Sequence, residues 1–115
     1  MLAQNNFFVL TTPTVPGYKI TKVVGLVNGL SPRSRGIGGV IHGMLQSIGG
    51  GEISAFTSEI EKARVEAISR AIKQARGIGA NAIVALDMET SDMGGEGSFI
   101  TLLSATGTAV VIEKE

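Results

Sequence analysis

The sequence has no cysteine, no tryptophan and a single histidine. The first absence removes disulfides, thiolate nucleophiles and every cysteine-based zinc or iron–sulfur site. Aromatic residues fill only 4% of the 115 positions, so the core has to be built from Val, Ile, Leu and Ala. Charged residues are 17% of the chain and balance to a formal net charge of zero. That balance leaves no electrostatic footprint for nucleic acid or an anionic membrane. No apolar run approaches membrane-spanning length, and no charged segment followed by an apolar run and small residues marks a secretion signal. A cytoplasmic protein without a membrane span is therefore expected. What the chain does have is glycine, sixteen residues of it, and 43% hydrophobic residues. Near-zero charge with a mean hydropathy of +0.30 fits a chain that hides apolar surface by self-association. The length suits one domain, residues 1–115.

The best-signalled element runs from Ser54 to Asn81 without Gly or Pro until Gly77-Ile78-Gly79. Ser58 with Glu61 fits a capping box, and Ser54 offers an alternative start one turn earlier. Gly77 or Gly79 can supply the left-handed residue that ends the helix, with Lys73 and Arg76 near its negative pole. Glu66 and Arg70 stand at i, i+4 in the favourable order. At about 100° per residue, Phe56, Ile60, Ala63, Ala67 and Ala71 form one apolar stripe, and Val65, Ile68, Ile72 and Ala75 a second. Together they exceed the arc that a helix lying on one sheet needs. The expectation is that one side packs on the sheet and the other on a second helix or a neighbouring copy. Arg64 falls between the stripes and is expected in an ion pair within or between subunits, with a ligand anion as the alternative.

Before this helix, residues 7–12 read as a strand ended by Pro13. Val15-Pro16-Gly17-Tyr18 has the residues of a type II turn. A second strand is expected from Lys19 to about Asn28, in a hairpin with the first, with Gly25 marking a bulge or a close approach. Ser31-Pro32-Arg33-Ser34-Arg35 reads as a basic, solvated connection. Ile37, Val40, Ile41, Met44, Leu45 and Ile48 then recur at helical spacing within the glycine-rich stretch 36–51, and Gly49-Gly50-Gly51 is the expected break. Gly36-Ile37-Gly38-Gly39 has neither the dinucleotide fingerprint nor a closing G-K-[ST], which argues against a nucleotide site. After the long helix come a strand from Ile83 to Thr90 and a loop from Ser91 to Gly97. A long last strand follows, with a bulge expected at Gly107. These elements make an α+β, two-layer domain in the order β-β-α-α-β-β: a four-stranded, mostly antiparallel sheet under one long helix and a shorter glycine-rich one. The strands are apolar on both sides, so something besides one helical layer must cover part of the sheet.

Candidate chemistry is sparse. His42 needs partners from distant segments or another copy to bind a metal. A nucleophile–base–acid set requires Asp87 or Glu89 to fold close to His42, and no motif marks a nucleophile. Asp87, Glu89, Asp92 and Glu96 lack the calcium-loop pattern and read as a solvated strand end and loop. Arg35 and Arg33 offer cations to an anion in an otherwise ordinary loop. The chain is expected to be non-catalytic, with an enzyme site between subunits as an alternative.

Thr11-Thr12-Pro13, Gly25, Gly49-Gly50, Lys62-Ala63-Arg64 with Ala67, Gly79-Ala80-Asn81-Ala82-Ile83-Val84 and Gly107-Thr108-Ala109-Val110 resemble the YbjQ-like family of small prokaryotic proteins, from about Phe8 to Ile112. The resemblance implies a dodecin-like subunit that assembles with itself into a ring of five; a non-catalytic scaffold or small-ligand-binding protein is the expected function, with a metal-binding or metal-sensing protein as the alternative. It also implies a metal ion as the candidate cofactor. One His and no Cys make a soft-metal site within one subunit unfavourable. A ring multiplies His42, Arg64, Arg35, Asp87 and Glu89 around an axis, where symmetry can build a site that one copy lacks.

Overall fold

The computed structural model describes residues 7–34, 50–93 and 100–115, with side chains at 7–33, 58–92 and 100–115. Strands β1 (Phe8–Val9) and β2 (Tyr18–Ser34), helix α1 (Gly50–Gly77), and strands β3 (Ala82–Met93) and β4 (Ile100–Lys114) follow in that order. They form an α+β fold, one helix on a four-stranded mixed sheet in the order β1-β3-β4-β2. The β3–β4 and β2–β4 pairs are antiparallel, and β1 runs parallel to β3. The shorter helix expected over 36–51 lies outside the described residues, except that Gly50 and Gly51 belong to α1.

The expected β1–β2 hairpin does not form: the two strands occupy opposite edges of the sheet. Three strand spacings of about 4.8 Å separate those edges, well within reach of the eight residues between Val9 and Tyr18. The turn reading survives this rearrangement. Tyr18 N donates to Val15 O at 3.0 Å, and Gly17 has φ of +83°, as a type II turn requires of its third residue. The crossing segment lies on the sheet face away from α1. There Val15 packs with Ala82, Val84, Val110 and Ile112, and Phe8 meets Tyr18 edge to face at 5.1 Å.

Three elements extend past their expected ends, β3 among them: it runs through Ser91 and Asp92 to Met93, into the expected loop. β2 continues through Asn28-Gly29 to Ser34, so residues 31–34 are strand rather than a solvated connection, with Ser31 fully buried. Pro32 is tolerated because β2 is an edge strand, where a missing N–H costs no ladder bond. α1 begins at Gly50, upstream of both expected caps. Glycine costs a helix only about 1 kcal/mol, and nothing there imposes a stop. Ser58 is therefore an exposed residue inside the helix, and Glu61 accepts from Arg64 at 3.1 Å instead of closing a capping box. The other end is as signalled. Gly79, with φ of +90°, allows Gly79 N to reach Arg76 O at 3.1 Å and Ala80 N to reach Ala75 O at 3.0 Å, the paired bonds of a Schellman ending.

The bulges fall partly where expected. Register shifts occur in β2 between Ile20 and Lys22 and between Val23 and Gly25. At Gly107, however, β4 runs straight, and the irregularity is in β3 between Val84 and Asp87. Ala85 takes φ of +54° there, and Ala85 N and Leu86 N turn to bond Thr12 O and Leu10 O at 2.8 and 2.9 Å. Gly107 answers that bulge by sterics: a Cβ on it would lie 2.6 Å from Ile83 Cγ2 and 3.2 Å from Val84 O.

The α1–sheet contact is built from small residues. Ala63, Ala67, Ala71 and Ala75 on the helix and Ala105 and Ala109 on the sheet are fully buried. Gly29 brings the two backbones closest, since a Cβ there would sit 1.9 Å from Ala67 O and 2.6 Å from Ala71 N. The alanine stripe thus permits the close approach its composition suggests, and the approaching backbone is the sheet. Ile72 and Ala75, from the second stripe, are buried in the same core as Phe7, Val9 and Leu86. That part of the wide arc is buried, among the described residues, in the chain's own core. Val65 alone of the second stripe is left 52% exposed.

Candidate functional site

Alternation along each strand assigns residues to faces. Gly29, Ala105 and Met88 share a cross-strand row under α1. The adjacent rows therefore lie on the opposite face: Asn28–Thr106–Asp87, Leu30–Ser104–Glu89 and Pro32–Leu102–Ser91, reading β2–β4–β3. The crossing segment covers only the end of this face near Val110 and Ile112. Elsewhere, among the described residues, it is open. Leu26 is 74% exposed, and Val23, Leu30 and Ile100 are exposed too. Across this face composition changes from apolar on β2 through hydroxyls on β4 to carboxylates on β3.

The edges of the sheet are guarded. Gln74 reaches from α1 to Asn28, accepting from its N–H at 2.8 Å and donating to its carbonyl at 2.7 Å. Arg70 Nη1 donates to Leu30 O. Asn28 therefore turns its backbone polar groups away from β4, and by alternation so do Leu30 and Pro32. Two side-chain clamps and a proline thus close the middle of the β2 edge against another strand. On β3, the edge beyond Leu86 has no strand partner among the described residues, but Asp87, Glu89 and Asp92 make it acidic. Charge is a common protection against edge-to-edge pairing.

A polar cluster fastens α1 to β2 beside these clamps. Glu66 accepts from the buried Ser31 hydroxyl at 2.9 Å, and lies 3.4 Å from Arg33 and 3.0 Å from Arg70. Arg33 also approaches Glu59 at 3.6 Å. The Glu66–Arg70 spacing is legible in the sequence. The role of Ser31 and Arg33 is not, because it depends on β2 continuing past Asn28.

Of the five sequence candidates, the three among the described residues, Arg64, Asp87 and Glu89, do not form one cluster. Arg35 and His42 lie outside the described residues. Arg64 is exposed on the flank of α1 and pairs with Glu61 at 3.1 Å within the helix. Asp87 and Glu89 are exposed on the open face of β3, in the other layer. Among the described residues no three His, Cys, Asp or Glu side chains cluster to hold a metal, and no helix is long and apolar enough to cross a membrane. Sequence reasoning missed the Gln74 and Arg70 clamps, for which it holds no local signal.

Residues 7–113 match the YbjQ family model, whose description reads "Putative heavy-metal-binding". The chain belongs to the YbjQ family. Among its relatives in this family, a UPF0145 protein of Methanocella arvoryzae is 44% identical over 110 residues, covering 96% of this chain and 89% of the relative. A UPF0145 protein of Pyrococcus furiosus is 40% identical over 112 residues, covering 97% and 96%. The crystal structure of a Pediococcus pentosaceus protein of unknown function, described as a DUF74 family member, superposes with a TM-score of 0.63 at 18% identity, over 93% of this chain and 98% of that one. At that identity the likeness speaks for the YbjQ fold alone.

Proposed function

We propose that this YbjQ-family chain acts as a homo-oligomeric, non-catalytic scaffold or small-ligand-binding protein whose copies close into a ring, with five as the number its family resemblance suggests. The observation that carries the reading is the open sheet face, where Leu26 and Leu30 are exposed on β2, with Val23 and Ile100 exposed toward its two ends. Apolar side chains gathered on one face, rather than scattered singly, mark an interaction surface. A balanced charge of zero opposes assembly with no net repulsion. Sedimentation velocity and native mass spectrometry of the untreated protein test this: one discrete oligomer is expected, and a monomer across the micromolar range refutes it.

A metal site shared between copies is the second reading, favoured by the family description. One His42 per copy becomes several around a ring axis, and Asp87 and Glu89 place two carboxylates on one face of β3. Calorimetry with zinc, copper and nickel on wild type and His42→Ala tests it. Loss of binding in the variant supports the site, and equal behaviour of the two proteins overturns it.

A further inference from the structure

We infer that Asn28-Gly29 is a self-modification site: a succinimide closes there, with loss of ammonia, once the β2 edge leaves Gln74, and the isoaspartate that follows keeps the edge from re-forming. The inference stands on the contacts of one chain and is independent of how copies assemble.

Asparagine followed by glycine is the pair in which this ring closes most readily, because no Cβ on the second residue obstructs the approach of its nitrogen. The Gly29 nitrogen attacks Asn28 Cγ and gives up its proton; the Cγ–Nδ2 bond breaks, and the side-chain nitrogen leaves as ammonia. Water then opens the ring at either carbonyl. Opening at Cγ leaves aspartate, whereas opening at the backbone carbonyl leaves isoaspartate, whose main chain runs through Cβ and Cγ. Only water enters the balance, and no enzyme needs access to the site.

Such a pair ordinarily stands in a turn. Here it lies inside β2, where glycine is required because a Cβ would meet Ala67 O at 1.9 Å. The fold therefore carries the reactive pair in a strand and restrains it twice. Gln74 accepts from Asn28 N at 2.8 Å and donates to Asn28 O at 2.7 Å, which holds the backbone on both sides of Asn28 Cα extended. Asn28 turns these groups away from β4, so Gly29, opposite Ala105, directs its own N–H into the ladder by alternation. The nucleophile is committed to a carbonyl and held away from Cγ.

The same contacts determine what the reaction does to the edge. Isoaspartate adds one backbone atom, about 1.5 Å of chain, immediately before Gly29, which has the least clearance from α1. It also removes from the main chain the carbonyl that Gln74 holds, leaving it as a free carboxylate. Neither the approach to Ala67 nor the clamp can then be rebuilt in register, so a reversible opening becomes permanent. Asn81 is the built-in comparison. Its amide bonds Ile112 through both atoms, at 2.8 and 3.0 Å, and the next residue, Ala82, carries a Cβ.

Folded wild type, folded Gln74→Ala and wild type unfolded in guanidinium chloride are incubated in one mildly alkaline buffer, after circular dichroism has checked the variant. Peptide mapping by tandem mass spectrometry reads asparagine, aspartate and isoaspartate at positions 28 and 81. The unfolded chain should convert Asn28 before Asn81. Folded wild type should lag behind it at Asn28 by about tenfold or more, since only the open fraction reacts. Gln74→Ala should convert about threefold or more faster than folded wild type, because both clamp bonds are gone. Refolded chains carrying isoaspartate at position 28 should exchange the Gly29 amide faster than unmodified chains. Folded wild type that converts Asn28 as fast as the unfolded chain overturns the inference. So does a folded Gln74→Ala that converts at the wild-type rate, or a modified chain whose Gly29 exchange is unchanged. The wild-type and exchange arms decide the question even if the variant does not fold.

Discussion

Replacing Gly29 by alanine probes the tightest contact in the fold. The added Cβ would lie 1.9 Å from Ala67 O and 2.6 Å from Ala71 N, against an ordinary contact of about 3.5 Å. The obstacle is helix backbone, not the end of a flexible side chain, so α1 must retreat by about 1.6 Å to restore ordinary contact. That retreat breaks the 2.8 and 2.7 Å bonds between Gln74 and Asn28 and loosens four buried alanines. Overpacking costs about 1–3 kcal/mol, and two lost hydrogen bonds about 1 kcal/mol each. The reduced entropy of the unfolded chain returns about 0.4–1 kcal/mol. The net expectation is a loss of about 2–4 kcal/mol, or about 8–16 °C in Tm for a chain of this length. Gly25→Ala is the matched control on the same strand, because its Cβ would meet only Ile78 Cδ1 at 4.0 Å. Urea unfolding at fixed protein concentration, followed by circular dichroism, reads both. If Gly29→Ala unfolds within about 0.5 kcal/mol of wild type and of the control, the close-approach reasoning fails.

Ala85→Gly should stabilise the fold by about 0.5–1 kcal/mol, since relief of a left-handed alanine outweighs the entropy that glycine adds to the unfolded chain; an unchanged urea midpoint argues against strain at the β3 bulge. Asn81→Ala should cost about 1–2 kcal/mol, because the Asn81 amide serves both the N–H and the carbonyl of Ile112, at 2.8 and 3.0 Å. Amide exchange measured by NMR should show faster exchange at Ile112 in that variant, and unaltered protection there contradicts the assignment. Gln74→Ala should open the β2 edge, with little loss of stability but more aggregation on prolonged incubation, read by light scattering. Arg64→Ala should change monomer stability by no more than about 0.5 kcal/mol, given its exposed pairing with Glu61. Unchanged oligomer size in the same variant would remove Arg64 from the interface.

The long helix was legible from the chain because its signals are local. The C-terminal Gly79, the alanine stripe and the Glu66–Arg70 spacing each act within a few residues, and each appears in the structure. The Val15–Tyr18 turn was legible for the same reason: Pro16 and Gly17 set their own backbone angles. Strand pairing was not. Nothing in residues 7–28 distinguishes a hairpin from two edges joined by a crossing segment, because the choice depends on β4 inserting between β2 and β3. The extension of β2 through Asn28, Gly29 and Pro32 was hidden for a related reason. Turn-prone residues remain in strand when a helix packs on one and clamps the backbone of another.

The sequence by itself determined the composition of the core, the helix and its end, and the presence of strands apolar on both faces. Small side chains, capping geometry and periodicity act over short range, and they survive in any fold the chain adopts. Only the tertiary structure decided where those faces lie and what they meet. It buried Ile72 and Ala75 of α1 in one core with Phe7, Val9, Val27 and Leu86 and put glycine where backbones nearly touch. It also left Leu26 and Leu30 bare on the side that carries Asp87 and Glu89. Which surfaces become exposed together depends on strand order and register, and those are fixed by contacts between residues far apart in the chain.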